Sequence, residues 1–457
     1  MKGEDNIEYV SPYNIKNSTG YKVEISGDHV WHEESKSDDH HHGKGASKHK
    51  AGGVYTCENG ASVSYLLELD VDQLFKQAYG DYHLHAHKIK VGIHHESLKL
   101  DTIKGIDIDS NLSSKHLLQT GSGPFEIVTQ TNFVDNKRVL SICSPIQIRN
   151  CLSTPLHLRL EHGNRKVELV VGVKEEAAVP FDFINKGYLT VLNPDNTQLS
   201  GPRNEIVSYT KIDKKLNQIT VGDRNYIVKP VIDNDVTYIE FKSPFVIKNC
   251  CPLPIYYQIF SPGTKVLSKK LKSQETAEIF NLSRGTKAFI KTRVQGLGWS
   301  SDSLVYSESG SAVPDKIAIK GIEGTTLTLN VHTVQEDHGS YKIYLYTKAM
   351  IVNETLYDLI YYSCDEDKKE VKKTLLPGLN PLSPEEDFNP KITFYGDSKK
   401  LAIATKKAPK LTSTPFAVGA IGDQTTMIED LTSNTAIELG INLSLVTAGI
   451  TTYMHST

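Results

Sequence analysis

Histidines and cysteines are the first places to look for chemistry in this chain, which has 17 of the former and six of the latter. His83, His85 and His87 alternate, which on a strand would put three imidazoles on one face, within reach of a zinc ion. No carboxylate or thiol stands at ligand spacing beside them, so a solvated strand face is the plainer expectation. His40, His41 and His42 fall in a polar run and would hold stray metal only weakly. His95-Glu-Ser-Leu-Lys99 has a lysine where a zinc-protease helix needs its second histidine. Asp107-Ile-Asp109-Ser-Asn111 opens like a calcium loop, but Leu112 and Leu118 occupy the places of the glycine and the bidentate glutamate. Gly43-Lys-Gly45-Ala-Ser-Lys48 resembles a phosphate loop without its third glycine or a preceding strand.

The cysteines, at 57, 143, 151, 250, 251 and 364, are sparse for 457 residues, and the adjacent pair Cys250–Cys251 is an awkward start for a disulfide framework. They read as buried free thiols in a reducing compartment. No Gly-x-Ser-x-Gly, Cys-x-x-Cys or complete phosphate loop occurs anywhere, so the expectation is a non-enzymatic chain with no cofactor and no metal site. The first ten residues lack the apolar core of a signal peptide, and no stretch approaches the ~20 apolar residues of a spanning helix, so a cytoplasmic location is expected.

What does recur is an asparagine. Ser144-Pro-Ile-Gln-Ile-Arg-Asn150-Cys151 aligns without a gap on Ser243-Pro-Phe-Val-Ile-Lys-Asn249-Cys250, and Ser11-Pro-Tyr-Asn-Ile-Lys-Asn17 matches both. Thr347-Lys-Ala-Met-Ile-Val-Asn353 is a weaker fourth copy, lacking the proline and the basic residue. The candidate site residues are therefore Asn17, Asn150, Asn249 and Asn353, each either a buried corner residue whose amide satisfies backbone groups or one that also holds a docked peptide.

The elements that position them follow from the flanking pattern. Six and eight residues after the Asn stand Val23/Ile25, Leu156/Leu158, Ile255/Tyr257 and Leu359/Tyr361, and the apolar alternation also runs backwards through Leu140/Ile142, Ile239/Phe241 and Ile343/Leu345. A period of two on both sides means strands with one buried face. The proline five residues before the Asn suits the first position of a strand, where no ladder donor is needed. In copies two and three a phenylalanine recurs 31 residues after the Asn, at Phe181 and Phe280.

Short strands at such intervals predict an all-β fold, a tandem array of four β-sandwich-like repeats at 1–141, 142–241, 242–345 and 346–457. The long first interval contains Gly27 to Gly53, a run of His, Lys, Asp, Ser and Gly that reads as a polar, mobile insertion in repeat one. Helical periodicity is scarce, and only Leu66 to Tyr79 is allowed a short helix. Apolar residues make up 39% and charged residues 23% of the chain, as in an ordinary globular protein, and a net charge of −3 offers no field to gather nucleic acid.

Tandem β units opened by Ser-Pro-x-x-Ile-Lys/Arg-Asn resemble the adaptor-binding domain of the vacuolar-protein-sorting-thirteen (chorein) family of bridge-like lipid-transfer proteins. Lys400-Leu-Ala-Ile-Ala-Thr followed by Ser413-Thr-Pro-Phe-Ala-Val-Gly-Ala-Ile-Gly422 is similar to the text that closes the family's repeats. The resemblance implies six repeats in an arch, one Asn in each, of which this chain would be repeats one to four. It also implies capture of Pro-x-Pro peptides from organelle adaptors, which brings the lipid-transfer protein to membrane contact sites at endosome, vacuole or mitochondrion. The family's main peptide pocket lies in its last repeats and is expected outside these four. Contact with membrane would be indirect, no nucleic acid is expected, and the chain should be a monomer. The competing expectation is an architectural β-repeat spacer with no ligand of its own. A carbohydrate-active β protein is disfavoured because no acidic pair can be placed.

Overall fold

The computed structural model describes residues 13–27, 54–65, 88–95, 100–108, 113–119, 124–210, 217–251, 254–264, 266–294, 298–307, 314–320, 326–336, 339–347, 349–353, 359–363, 372–374, 392–395, 400–405, 407–408, 410–417, 422–430, 435–446 and 451–456. The chain is all-β: the described elements are strands except for two single-turn helices, α1 (Phe181–Ile184) and α2 (Ile206–Tyr209). None of the described helices is long and apolar enough to cross a membrane. The expected helix at Leu66–Tyr79, the insertion beyond Gly27, and the clusters at His40–His42, Gly43–Lys48 and His83–His87 lie outside the described residues.

Each Asn-bearing strand sits in a five-stranded sheet between an antiparallel and a parallel neighbour. Tyr13–Ser18 pairs with Ser62–Tyr65 and, in parallel, with Lys137–Cys143. Ile146–Asn150 pairs with Glu176–Ala178 and Val236–Lys242, and Phe245–Asn249 with Thr276–Ile279 and Tyr341–Tyr346. Ala349–Asn353 repeats the arrangement with Ile392–Tyr395 and Thr451–Ser456. A parallel pair cannot be joined by a tight turn, so the whole body of a repeat serves as the crossover between its first and last strands. Pro145 and Pro244, which lack an N–H, contribute through their carbonyls, accepting from Thr237 N at 2.8 Å and Tyr341 N at 2.9 Å.

A second sheet, in most repeats of four strands, covers the first. In repeat three its order is Leu267–Leu271, Ile255–Phe260, Ala288–Val294, Ser303–Tyr306. Along Ile255–Phe260 the odd positions Ile255, Tyr257 and Ile259 are buried and the even ones half-buried. Those three residues share one core with Phe245 and Ile247 of the first strand and Ile343 and Leu345 of the last. Two sheets with facing apolar sides make a sandwich, and the period-two pattern is its sequence record.

By contact density the chain forms two compact units, residues 1–222 with 227–242, and residues 223–226 with 243–457. In the first unit, repeats one and two interlock. Phe181 of α1 is 1% exposed and belongs to the core of repeat one with Ile15, Tyr21 and Phe125. Val128 and Cys143 of repeat one form a small apolar cluster with Val236 and Tyr238 of repeat two. Gly20, at φ +89°, approaches Pro180 so closely that an added Cβ would lie 3.0 Å from its ring and its Cα, so both conformation and space require glycine. In the second unit, Phe280 packs against Tyr226 with ring centroids 5.4 Å apart, under the Arg224 guanidinium at 4.3 Å.

Candidate functional site

Asn17, Asn150 and Asn249 are 0% exposed, each in its own repeat, and the structure does not bring them together. Asn150 Nδ2 donates to the carbonyls of Thr154 at 2.9 Å, Val171 at 3.0 Å and Gly172 at 2.9 Å, while its Oδ1 accepts from Leu152 N at 2.9 Å. Asn249 donates to Leu271 O and Lys272 O and accepts from Cys251 N at 2.8 Å. Asn17 donates to Tyr21 O and Cys57 O and accepts from the backbone and hydroxyl of Thr19. The shared arrangement is a clasp: the amide ties the end of the first strand to the following bend and to an edge strand of the second sheet. Such a buried amide has its donors and acceptor committed to backbone. Asn353 ends the corresponding strand Ala349–Asn353, and its side chain lies outside the described residues.

The thiols beside these clasps are inert in character. Cys57, Cys143, Cys250 and Cys251 are buried and Cys151 is half-buried, all five without disulfides. Burial pushes the Cys143 thiol up to about 11 and raises Cys57, Cys151, Cys250 and Cys251 as well. Among the described residues, no three His, Cys, Asp or Glu side chains converge as a metal ion would require.

The junction of repeats one and two leaves an open surface groove. A groove of about 370 Å³ is lined by Leu117, Pro124, Phe125, Pro145, Ile146 and Phe181, with Lys115 and Asp235 at its polar side. One wall belongs to Ser113–Leu118, the outermost strand of the first five-stranded sheet. An outermost strand keeps one row of backbone groups outside the ladder, the feature that extended peptides exploit. Leu117 is 65% exposed at this edge, and Lys115 is paired with Glu126 at 3.2 Å. The groove contains none of the four asparagines, and sequence reading did not find it, because its walls come from segments more than a hundred positions apart. The recurring Phe181 was its one visible trace.

The sequence matches the family described as vacuolar-sorting associated protein 13, adaptor binding domain, over residues 76–456. Among solved structures, the Bacillus anthracis TIE protein is 10% identical, with 82% of this chain and 72% of its own covered, and a TM-score of 0.13, too low to support an argument. No curated protein matches.

Proposed function

This chain belongs to the adaptor-binding domain family of vacuolar-sorting associated protein 13, and from that premise we propose that its repeats recruit a bridge-like lipid-transfer protein to membrane contact sites by binding Pro-x-Pro segments of organelle adaptors. The family match over residues 76–456 carries this reading. The groove beside Ser113–Leu118 supports it, because a proline-rich segment is already extended and loses little entropy on lying along an edge strand. The two groove-lining rings, Phe125 and Phe181, are the kind of surface on which proline rings rest. In this reading the asparagines are clasps that hold each repeat in shape, and membrane is reached only through the adaptor. The organelles concerned are endosome, vacuole and mitochondrion.

A purely architectural spacer is the competing reading, and the clasps and the buried Phe181 favour cohesion in either case. The two separate in cells. A fluorescent fusion of the chain should concentrate at organelle surfaces and disperse when a Pro-x-Pro peptide is co-expressed in excess. A diffuse signal unmoved by the peptide would favour the spacer.

A further inference from the structure

The outward face of the second sheet differs between repeats in its charges. In repeat one, Lys22 is neutralised by Glu58 at 2.7 Å, and Glu24 meets His94 at 3.1 Å. In repeat two, Arg159 pairs with Glu168 at 2.8 Å, and Glu161 with Lys166 and Arg203 at 3.0 and 3.1 Å. In repeat three the carboxylates are gone. Tyr256 stands where repeat one has Glu24, and Phe260 where repeat two has Glu161. The four strands of this sheet contain Lys269, Lys270, Lys291 and Arg293 and not one Asp or Glu.

Each replacement sits in a row that runs across the strands. The Tyr256 ring lies between Lys270 Nζ at 5.7 Å and the Arg293 guanidinium at 4.6 Å, with Trp299 on the other side of Arg293 at 5.5 Å. Further along the same strands, beyond Gln258 and Lys291, Phe260 and Phe289 stack at 5.9 Å. Arg293 Nε is buried without a hydrogen-bond acceptor among the described residues, and Trp299 is 38% exposed. At the border, Asp302 takes Lys291 at 2.9 Å, and Lys269 stands at the alternate register opposite the buried Tyr257, leaving Lys270 and Arg293 as the outward cations that face no carboxylate among the described residues.

We propose that this face of repeat three docks an acidic, ring-bearing segment of a partner protein, with carboxylates at Lys270 and Arg293 and apolar side chains on Tyr256, Phe260 and Phe289. The inference rests on the adaptor-binding reading and adds to it a second site with a different ligand chemistry. Tyr, Trp, Phe and Arg are the residues that dominate protein–protein contacts, and the missing charge has a definite sign. The rings lie half-buried in a sheet face, Phe260 stacked on Phe289, and so do not project as a membrane-inserting tip would.

The test is a titration of the full chain with a fluorescein-labelled peptide of alternating Glu and Tyr, using an alternating Gln and Tyr peptide as the uncharged control. The acidic peptide should bind and the control should bind roughly tenfold more weakly. Lys270→Gln, on an exposed edge, and Arg293→Gln should each weaken the acidic peptide by roughly tenfold, while Arg159→Gln in repeat two should not. Circular dichroism confirms that the variants fold. Equal affinity for the two peptides, or no loss in Lys270→Gln, would overturn the proposal. So would a chain that ignores the peptides but binds phosphatidylserine vesicles through Lys270, since the face would then serve a membrane. A Pro-x-Pro peptide is titrated in parallel: binding of that peptide without the acidic one sinks this site alone, whereas failure of both also removes the groove beside Ser113–Leu118 as an adaptor site.

Discussion

Tyr21 donates its phenolic hydrogen to Asp182, 161 residues further along the chain. Asp182 also accepts from Arg165, and its neighbour Phe181 lies against the Tyr21 ring with centroids 4.5 Å apart. A residue of repeat one is thus held by a turn of repeat two through a charge-assisted bond and a ring contact together. Burial and the adjacent Asp182 carboxylate raise the Tyr21 hydroxyl well above the usual phenol range, which keeps it protonated and a donor.

Phe181→Ala should cost about 3–5 kcal/mol, the usual penalty for removing a buried ring and leaving a cavity. The loss should appear in the first compact unit. Denaturant unfolding followed by limited proteolysis should show cleavage around repeats one and two before the second unit is cut. An unchanged midpoint would mean that the two repeats do not depend on the ring.

Asn150→Ala and Asn249→Ala should each destabilise by roughly 1–3 kcal/mol, since the carbonyls and the N–H they serve would be left unsatisfied. Asn150→Asp should not rescue, because a carboxylate would face the carbonyl oxygens of Thr154, Val171 and Gly172 with nothing to donate. Thermal melts of the three variants check both statements. An Asp variant as stable as the parent would refute the clasp.

The Glu161 carboxylate is held below its ordinary value of 4.5 by the hydrogen bond from Lys166, with Arg203 adding to the effect. A group whose pKa is depressed by folding stabilises the fold above its unfolded value and loses that contribution as pH falls through the folded one. The melting difference between the parent and Glu161→Gln should therefore be present at neutral pH and vanish in the acid range. A difference that grows on acidification would contradict the assignment.

Because Cys143 and Cys251 are buried, at 4% and 0% exposed, their thiols should react with a thiol reagent only as fast as the chain opens. Labelling measured against denaturant checks this. Rapid modification of either in the folded state would show that its surroundings are open.

The repeat was legible because it is local: an apolar residue every second position on either side of Asn150 or Asn249 describes a strand without reference to anything distant. The parallel closure of Ile146–Asn150 on Val236–Lys242 was not, since backbone pairing across a whole repeat leaves no spacing signature. Phe181 showed as a recurrence, yet its place in the core of repeat one depends on a neighbour's cavity. The aromatic row on repeat three also escaped notice. Tyr256 and Arg293 become neighbours only through the register of their strands.

The most direct measurement is fluorescence anisotropy of a labelled Pro-x-Pro peptide titrated with this chain, beside an Ala-x-Ala control and the Leu117→Glu variant. A groove of about 370 Å³ accommodates a short segment, so weak but saturable binding is expected. It should favour the proline peptide and fall in Leu117→Glu, a substitution at an exposed position that leaves the fold intact. Indistinguishable curves for the proline and alanine peptides would contradict the claim that these four repeats themselves hold a Pro-x-Pro site.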